Sequence, residues 1–242
     1  IPEGIKLSAR QRLITDVVRT GVPFVSDRLS GILDRLVFPL HFIDFESTHG
    51  ALPEYPGVAP YQHVPFQWSS HIVDEPGSQV RHLDFLHRDR TDPREGFSRS
   101  LWDAVSVAGT IVYYSAYEKS RLKELVHDGV ACADLALMAV EKHGLDLERV
   151  VKDHVYLAEF KGRTSIKAVY PALVRDAGYR DLAIQDGDTA AAEFRRMLSP
   201  ATTAVEAERI AEALLRYCER DTLAMVEVYH ALKALARIPS RP

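Results

Sequence analysis

HFIDFESTHG, residues 41–50, is the stretch that sets the architecture. It opens with an apolar run broken by one acid, the composition of a short strand buried in a sheet. Pro39, just upstream, ends any preceding helix and opens extended chain. Residues two apart on a strand share a face, so Asp44 and Glu46 point the same way. Phe45 between them points to the other side, into packing. An unpaired buried carboxylate is costly, so two acids closing a buried strand need a partner. Where several acids meet, the usual partner is a divalent cation.

Two further places repeat the pattern. TIVYYSAYEKSRLKEL (110–125) puts Glu118 where a second apolar strand gives way to a helix. LLRYCERDTLAMVEVYHAL (214–232) puts Tyr217 and Asp221 four residues apart, on one helix face. Each has an ordinary reading alone: a polar strand end, an acid favoured in a first helical turn, a solvated helix face. Together they suggest a two-metal phosphodiesterase. Hard oxygen ligands suit magnesium or manganese rather than zinc. Asp134, also near a helix start, is the reserve acidic ligand.

The chain has 242 residues, 46% hydrophobic and 26% charged, which is enough for one globular domain with a full core. Its net charge of -4 does not advertise a nucleic-acid binder, but an acidic metal site can offset a local basic track. Cys132 and Cys218 lie far apart without zinc spacing, which is compatible with a reducing cytoplasm. No apolar run reaches membrane-spanning length. A first residue of Ile with no signal-like segment after it suggests a piece of a longer protein.

Helices are expected over 8–20, with Ser8 as N-cap, and over 26–37, capped by Ser26 or Asp27. PFQWSSHIVDE and SQVRHLDFL alternate around the turn EPGS and read as an antiparallel hairpin. Helices follow at 94–107, 117–128 and about 132–142, with the strand TIVYYS between the first two. Residues 143–163 read as irregular. SIKAVYPALVRDAG reads as a helix from Ser165 to before Gly178, and DTAAAEFRRML as one capped by Asp188. A last long helix spans 205–235. The order of elements predicts a mixed α/β sheet with helices packed on it.

Substrate contacts are expected near the acids and on a basic track. KGRTSIKAVYPALVRDAGYR (161–180) holds five basic residues and one acid. Arg163 and Lys167 are its candidate phosphate ligands, against the alternative of a solvated helix face. The Pro- and Gly-rich stretch after Glu46 is a loop whose side chains could stack on and pair with a base. Ser47, Thr48, Tyr61 and Gln62 are the candidates there. His49, close to the acids, reads as a bystander, and His41, His71 and His154 as structural or surface residues.

The runs FIDFES, PYQHVPFQWSSHI, YSAYEKSRLKEL, SIKAVYPAL, YRDLAIQDGDTA and YCERDTLAMV together resemble the DEDD exonucleases of the ribonuclease-H-like, DnaQ-like superfamily. The resemblance covers about 39–230. It is nearest to a bacterial family whose domain often follows a RecB-like nuclease domain. It implies a five-stranded mixed sheet flanked by helices, with residues 1–38 a helical lead-in from such an N-terminal domain and 39–238 the exonuclease-like domain. The implied activity is 3′-to-5′ hydrolysis of single-stranded DNA or RNA from a free 3′ end, with two Mg2+ or Mn2+ ions. Carried over by position, Asp44, Glu46, Glu118 and Asp221 would be metal ligands and Tyr217 would orient the attacking water. Two departures stand out: Glu118 where Asp is general, and Ser115 where Asn is usual. They leave open a nucleic-acid-binding domain of the same fold. The loop after Glu46 leaves open a hydrolase restricted to short oligonucleotides.

Overall fold

The computed structural model of the chain describes residues 5–106, 109–174 and 182–237. Ser8 opens helix α1 (Ala9–Thr20) with a reciprocal cap: its hydroxyl accepts from Gln11 N, and its own N–H donates to the Gln11 side chain. Gly21 ends that helix in the left-handed conformation at φ 69°, which glycine adopts without a Cβ penalty. Strand β1 (Phe24–Val25) and helix α2 (Arg28–Leu33) follow. The sheet then forms from β2 (Leu40–Thr48), β3 (Val64–Val73) and β4 (Arg81–Leu86). Next come α3 (Arg94–Val105), β5 (Thr110–Tyr113), α4 (Tyr117–His127), α5 (Ala133–His143) and β6 (Gly144–Asp146). Last are α6 (Leu147–His154), β7 (Val155–Tyr156), α7 (Ile166–Leu173), α8 (Gly187–Met197) and α9 (Ala204–Ala236).

Five strands make one mixed sheet in the order β4-β3-β2-β5-β6. The β2–β3–β4 meander is antiparallel, and β2–β5–β6 are parallel. A separate ribbon pairs β1 with β7. Side-chain parity on β2 sorts the two cores. Ile43 and Phe45 pack with Trp68, Phe97, Leu101 and Leu122 under α3, α4 and α5. Leu40 and Phe42 pack with Ala224, Met225 and Val228 of α9. Asp44 and Glu46 continue that second parity, so they meet α9. Helix α9 starts from a Thr203 cap on Glu206 N, and most of its inward side chains are fully buried. Each fully buried Leu, Val, Ile or Met among them contributes roughly 1.5–3 kcal/mol. Val17, Leu29 and Leu33 join the same core, so α1 and α2 pack onto the sheet domain.

Several expectations need correction. Residues 143–163 are not irregular: they hold the edge strand β6, helix α6, β7 and a 3-10 turn at Ala158–Phe160. Asp146 caps α6 through Arg149 N, and Leu147, Val150 and Val151 are its buried face. Helix α2 is shorter than 26–37, and α8 is capped by Asp186 rather than Asp188. Strand β3 is buried at every position instead of alternating, because α9 covers one face and α3 the other. Helix α7 ends at Leu173; the expected end of that helix before Gly178, and residue 107 of another expected helix, lie outside the described residues.

Candidate functional site

The site forms where β2 and β5 end side by side. Asp44 pairs across β2–β3 with Ser69, and Glu46 with Gln67. The register shifts directly after Glu46, so that Ser47 faces Pro65. Pro65 has no N–H to give and lies beyond the residues of β3 paired to β4, where a bulge is tolerated. Past the end of β5, Ser115 turns the chain at φ 84° and accepts from Tyr117 N. That left-handed turn points the first turn of α4, and with it Glu118, back toward Asp44. Gln67 Nε2 donates to Leu214 O at 2.8 Å, which anchors α9 across the sheet and brings Tyr217, Cys218 and Asp221 over the two acids.

Asp44, Glu46, Ser47, Lys167, Tyr217 and Asp221 line one open cleft of about 450 Å³. Glu118 lies beneath it, 1% exposed, and among the described residues its Oε2 is buried with no hydrogen-bond partner. One atom each of Asp44, Glu46 and Cys218 fall within 4.8 Å of one another. The Cys218 thiol donates to Asp44 O and to Asp44 Oδ2, both at 3.6 Å. Burial, and then the charge of Asp221, pushes Asp44 well above the usual carboxylate range. Glu46 and Glu118 are raised the same way, by burial first and then by Asp44. Lys167 draws Asp44 and Glu46 down, but burial prevails. Lys167 Nζ donates to Gln185 O at 2.5 Å and to Tyr217 Oη at 3.2 Å. Burial and the carboxylates around Tyr217 raise its hydroxyl pKa, so it keeps its proton.

A profile described as Domain of unknown function (DUF2779) matches residues 41–165. The chain belongs to that family. The DUF2779 segment carries Asp44, Glu46 and Glu118, while Lys167, Tyr217 and Asp221 come from the chain beyond it. No curated protein and no solved structure matches the chain.

Other sequence candidates lie away from the cleft that the DUF2779 acids line. Asp134 is exposed in the first turn of α5. Tyr61 is 67% exposed on the loop, and Arg163 is exposed and outside the cleft wall. Thr48 is buried, accepting from Arg195 Nη1 at 2.6 Å. Gln62 is a tether: its Nε2 donates to Asp128 Oδ2 at 2.6 Å, and its Oε1 accepts from Ala59 N. Arg94 reinforces that tether by bonding Asp128, Asp92 and Pro56 O.

Cleft residues that the sequence reading did not select are Tyr117, Asp186, His63 and His49, the last read as a bystander; Cys218, buried beside Asp44, was also not selected. Ser47 Oγ sits between His63 Nδ1 at 2.7 Å and Tyr117 Oη at 2.6 Å. The His49 and His63 rings lie 4.6 Å apart, tilted by 37°. Burial lowers His63 to about 4, so its ring is neutral at neutral pH. Asp186 caps α8, and the first residue of that helix, Gly187, lies against Glu46. The AIQDGDTA stretch carries a readable cap signal, and His49 follows Glu46 by three residues; His63 carries no such signal, since only the loop path brings it to the acids.

Proposed function

We propose that this chain is a metal-dependent 3′-to-5′ exonuclease with a ribonuclease-H-like fold, acting on single-stranded nucleic acid. The observation that carries the reading is the convergence of Asp44, Glu46, Glu118 and Asp221, from three separate stretches, around one open cleft, with Tyr217 one turn from Asp221. The donor set fits divalent ions. Three of the carboxylates have pKa values raised by burial and mutual repulsion, and Glu118 Oε2 is buried without a hydrogen-bond partner among the described residues. Such a cluster is relieved by added positive charge. Asp44, Glu46, Asp221 and Glu118 would hold Mg2+ or Mn2+, which would supply a nucleophile at neutral pH and charge stabilisation for an in-line displacement at phosphorus.

The protein's own groups would bind and orient. Tyr217 offers a protonated hydroxyl at the acids. Lys167, on the cleft wall, offers a cation for a phosphate. The N-terminal end of α8, beside Glu46, favours negative charge. The neighbouring rings of His49 and His63, tilted 37° to each other on the cleft wall, offer aromatic surface for a terminal base. A second reading follows from the cleft's volume of about 450 Å³, which lies in the range for small-molecule ligands. In that reading the substrates are short oligonucleotides.

The test is a time course on 5′-labelled single-stranded DNA and RNA and on dinucleotides, with Mg2+, Mn2+ or EDTA. A ladder shortening from the 3′ end is expected with metal, at background level in EDTA and with Asp44→Asn. Tyr217→Phe should slow it by about 100-fold, the scale for loss of one positioned donor. Cleavage confined to dinucleotides selects the second reading. No cleavage of any substrate by the wild type overturns both.

A further inference from the structure

A second cluster of chemically active groups sits on the same sheet face, one strand over from Asp44. We propose that His71 of β3, His82 of β4 and Glu219 of α9 form a separate metal site that takes one zinc-type divalent ion and clasps α9 to the β3–β4 hairpin.

Three observations support it. One nitrogen of each ring and one Glu219 carboxylate oxygen lie within 4.8 Å of one another. Zinc bonds of about 2.0–2.2 Å need ligand atoms at roughly 3.4 Å, a small closure for side chains in that cluster. His71 and His82 are direct cross-strand partners with ring centroids 4.6 Å apart, so backbone pairing already presents both imidazoles to one point.

A hydroxyl contacts one nitrogen of each ring, and His82 Nδ1 lies 3.7 Å from Asp84 Oδ2. Thr222 Oγ1 lies 3.0 Å from Glu219 O and 2.7 Å from His71 Nδ1. With His71 Nδ1 as the donor in that contact, the lone pair falls on His71 Nε2. Ser69 Oγ contacts both Thr222 Oγ1 and His82 Nε2, each at 2.8 Å. Ligating histidines characteristically have their other nitrogen fixed in this way.

The donor chemistry differs from that of the acid cleft. Two imidazoles and one carboxylate favour zinc over magnesium or manganese. His71 is buried, while His82 and Glu219 are half-buried, which leaves room for a solvent ligand. None of the three lines the acid cleft. Yet Glu219 lies between Tyr217 and Asp221 on α9, so the ion would fix the helix that carries both. The site stands independently of the exonuclease reading.

The experiment titrates Zn2+ into the Asp44→Asn/Asp221→Asn protein, followed by calorimetry and thermal melting, with Mg2+ as the control. Uptake of one equivalent of Zn2+ with a rise in melting temperature is expected, and no response to Mg2+. His82→Ala and Glu219→Gln should each abolish that uptake, and Thr222→Val should weaken it roughly 10–100-fold. Glu219→Gln keeps the shape of the side chain, and circular dichroism of each variant separates lost binding from lost fold. Absence of Zn2+ uptake, or uptake unchanged in both folded ligand variants, overturns the site and leaves a hydrogen-bonded histidine pair.

Discussion

At the residue scale, the acids are held in a state the fold alone does not favour. Asp44, Glu46 and Glu118 have raised folded-state pKa values, chiefly from burial and then from one another. A raised acid stabilises the fold below its unfolded pKa, and that contribution is lost as pH rises through the folded value. Metal-free protein should therefore lose melting temperature from about pH 4 upward on account of these groups. The lowered histidines His63 and His71 act with opposite sign below the usual imidazole range, so a variant is needed to isolate the acids. Asp44→Asn should melt higher than wild type in EDTA at pH 8, with the gap closing toward pH 4. Parallel melting curves across that range would remove the repulsion argument. Cys218 belongs at this scale too. Its thiol is buried and donates to Asp44, and burial and the acids push its pKa up, so it acts as a neutral donor.

At the element scale, the parallel edge of the sheet depends on close approach. Gly144, which opens β6, has no room for a side chain: a Cβ there would lie 2.2 Å from Val140 O and 2.8 Å from Tyr113 Cε1. Gly144→Ala should cost about 1–3 kcal/mol, the scale of overpacking, read by urea denaturation. Because Tyr113 closes β5 just before the turn to Glu118, the same variant should lower activity more than Val205→Ala on exposed α9 surface. Equal stability of Gly144→Ala and wild type would show that β6 moves aside freely. Elements were readable where periodicity was long: α1, α4, α5 and α9 match their expected spans within a residue or two. The three-residue β6 was missed because a strand that short has no period to read, and it becomes a strand only by pairing with β5. Helix α6 did carry a signal, an Asp146 cap followed by Leu147, Val150 and Val151.

At the scale of the whole molecule, α9 joins everything. Its face packs the core under β2, its Leu214 carbonyl takes Gln67, and its Tyr217 and Asp221 close the cleft. Phe66 of β3 stacks on Phe194 of α8 at 3.9 Å, which holds the N-terminal end of α8 over Glu46. Ligand binding to such a preformed site stabilises the whole fold by mass action, about 2.7 kcal/mol at one hundred times the dissociation constant. Mn2+ should therefore raise the melting temperature of the wild type and leave Asp44→Asn/Asp221→Asn unmoved. A matching rise in both would place the ion elsewhere. Among the described residues, no helix is long and apolar enough to cross a membrane.

Local rules were sufficient for pairs of residues within one element. The two-residue period put Asp44 and Glu46 on one face, and the helical repeat put Tyr217 with Asp221, because both periods follow from backbone geometry alone. Long-range assembly decided the rest. Thr48, Tyr61, Gln62, Arg163 and Asp134 stand away from the cleft, His49, His63 and Tyr117 stand in it, and Cys218 is buried against Asp44. Gln62 and His63 are neighbours in sequence, yet one ties the loop to Asp128 and the other faces the acids. That division depends on the path of a loop tethered by Arg94 and Asp128, from elements far along the chain. No spacing within the loop encodes contacts with side chains that distant; only the packed fold supplies them.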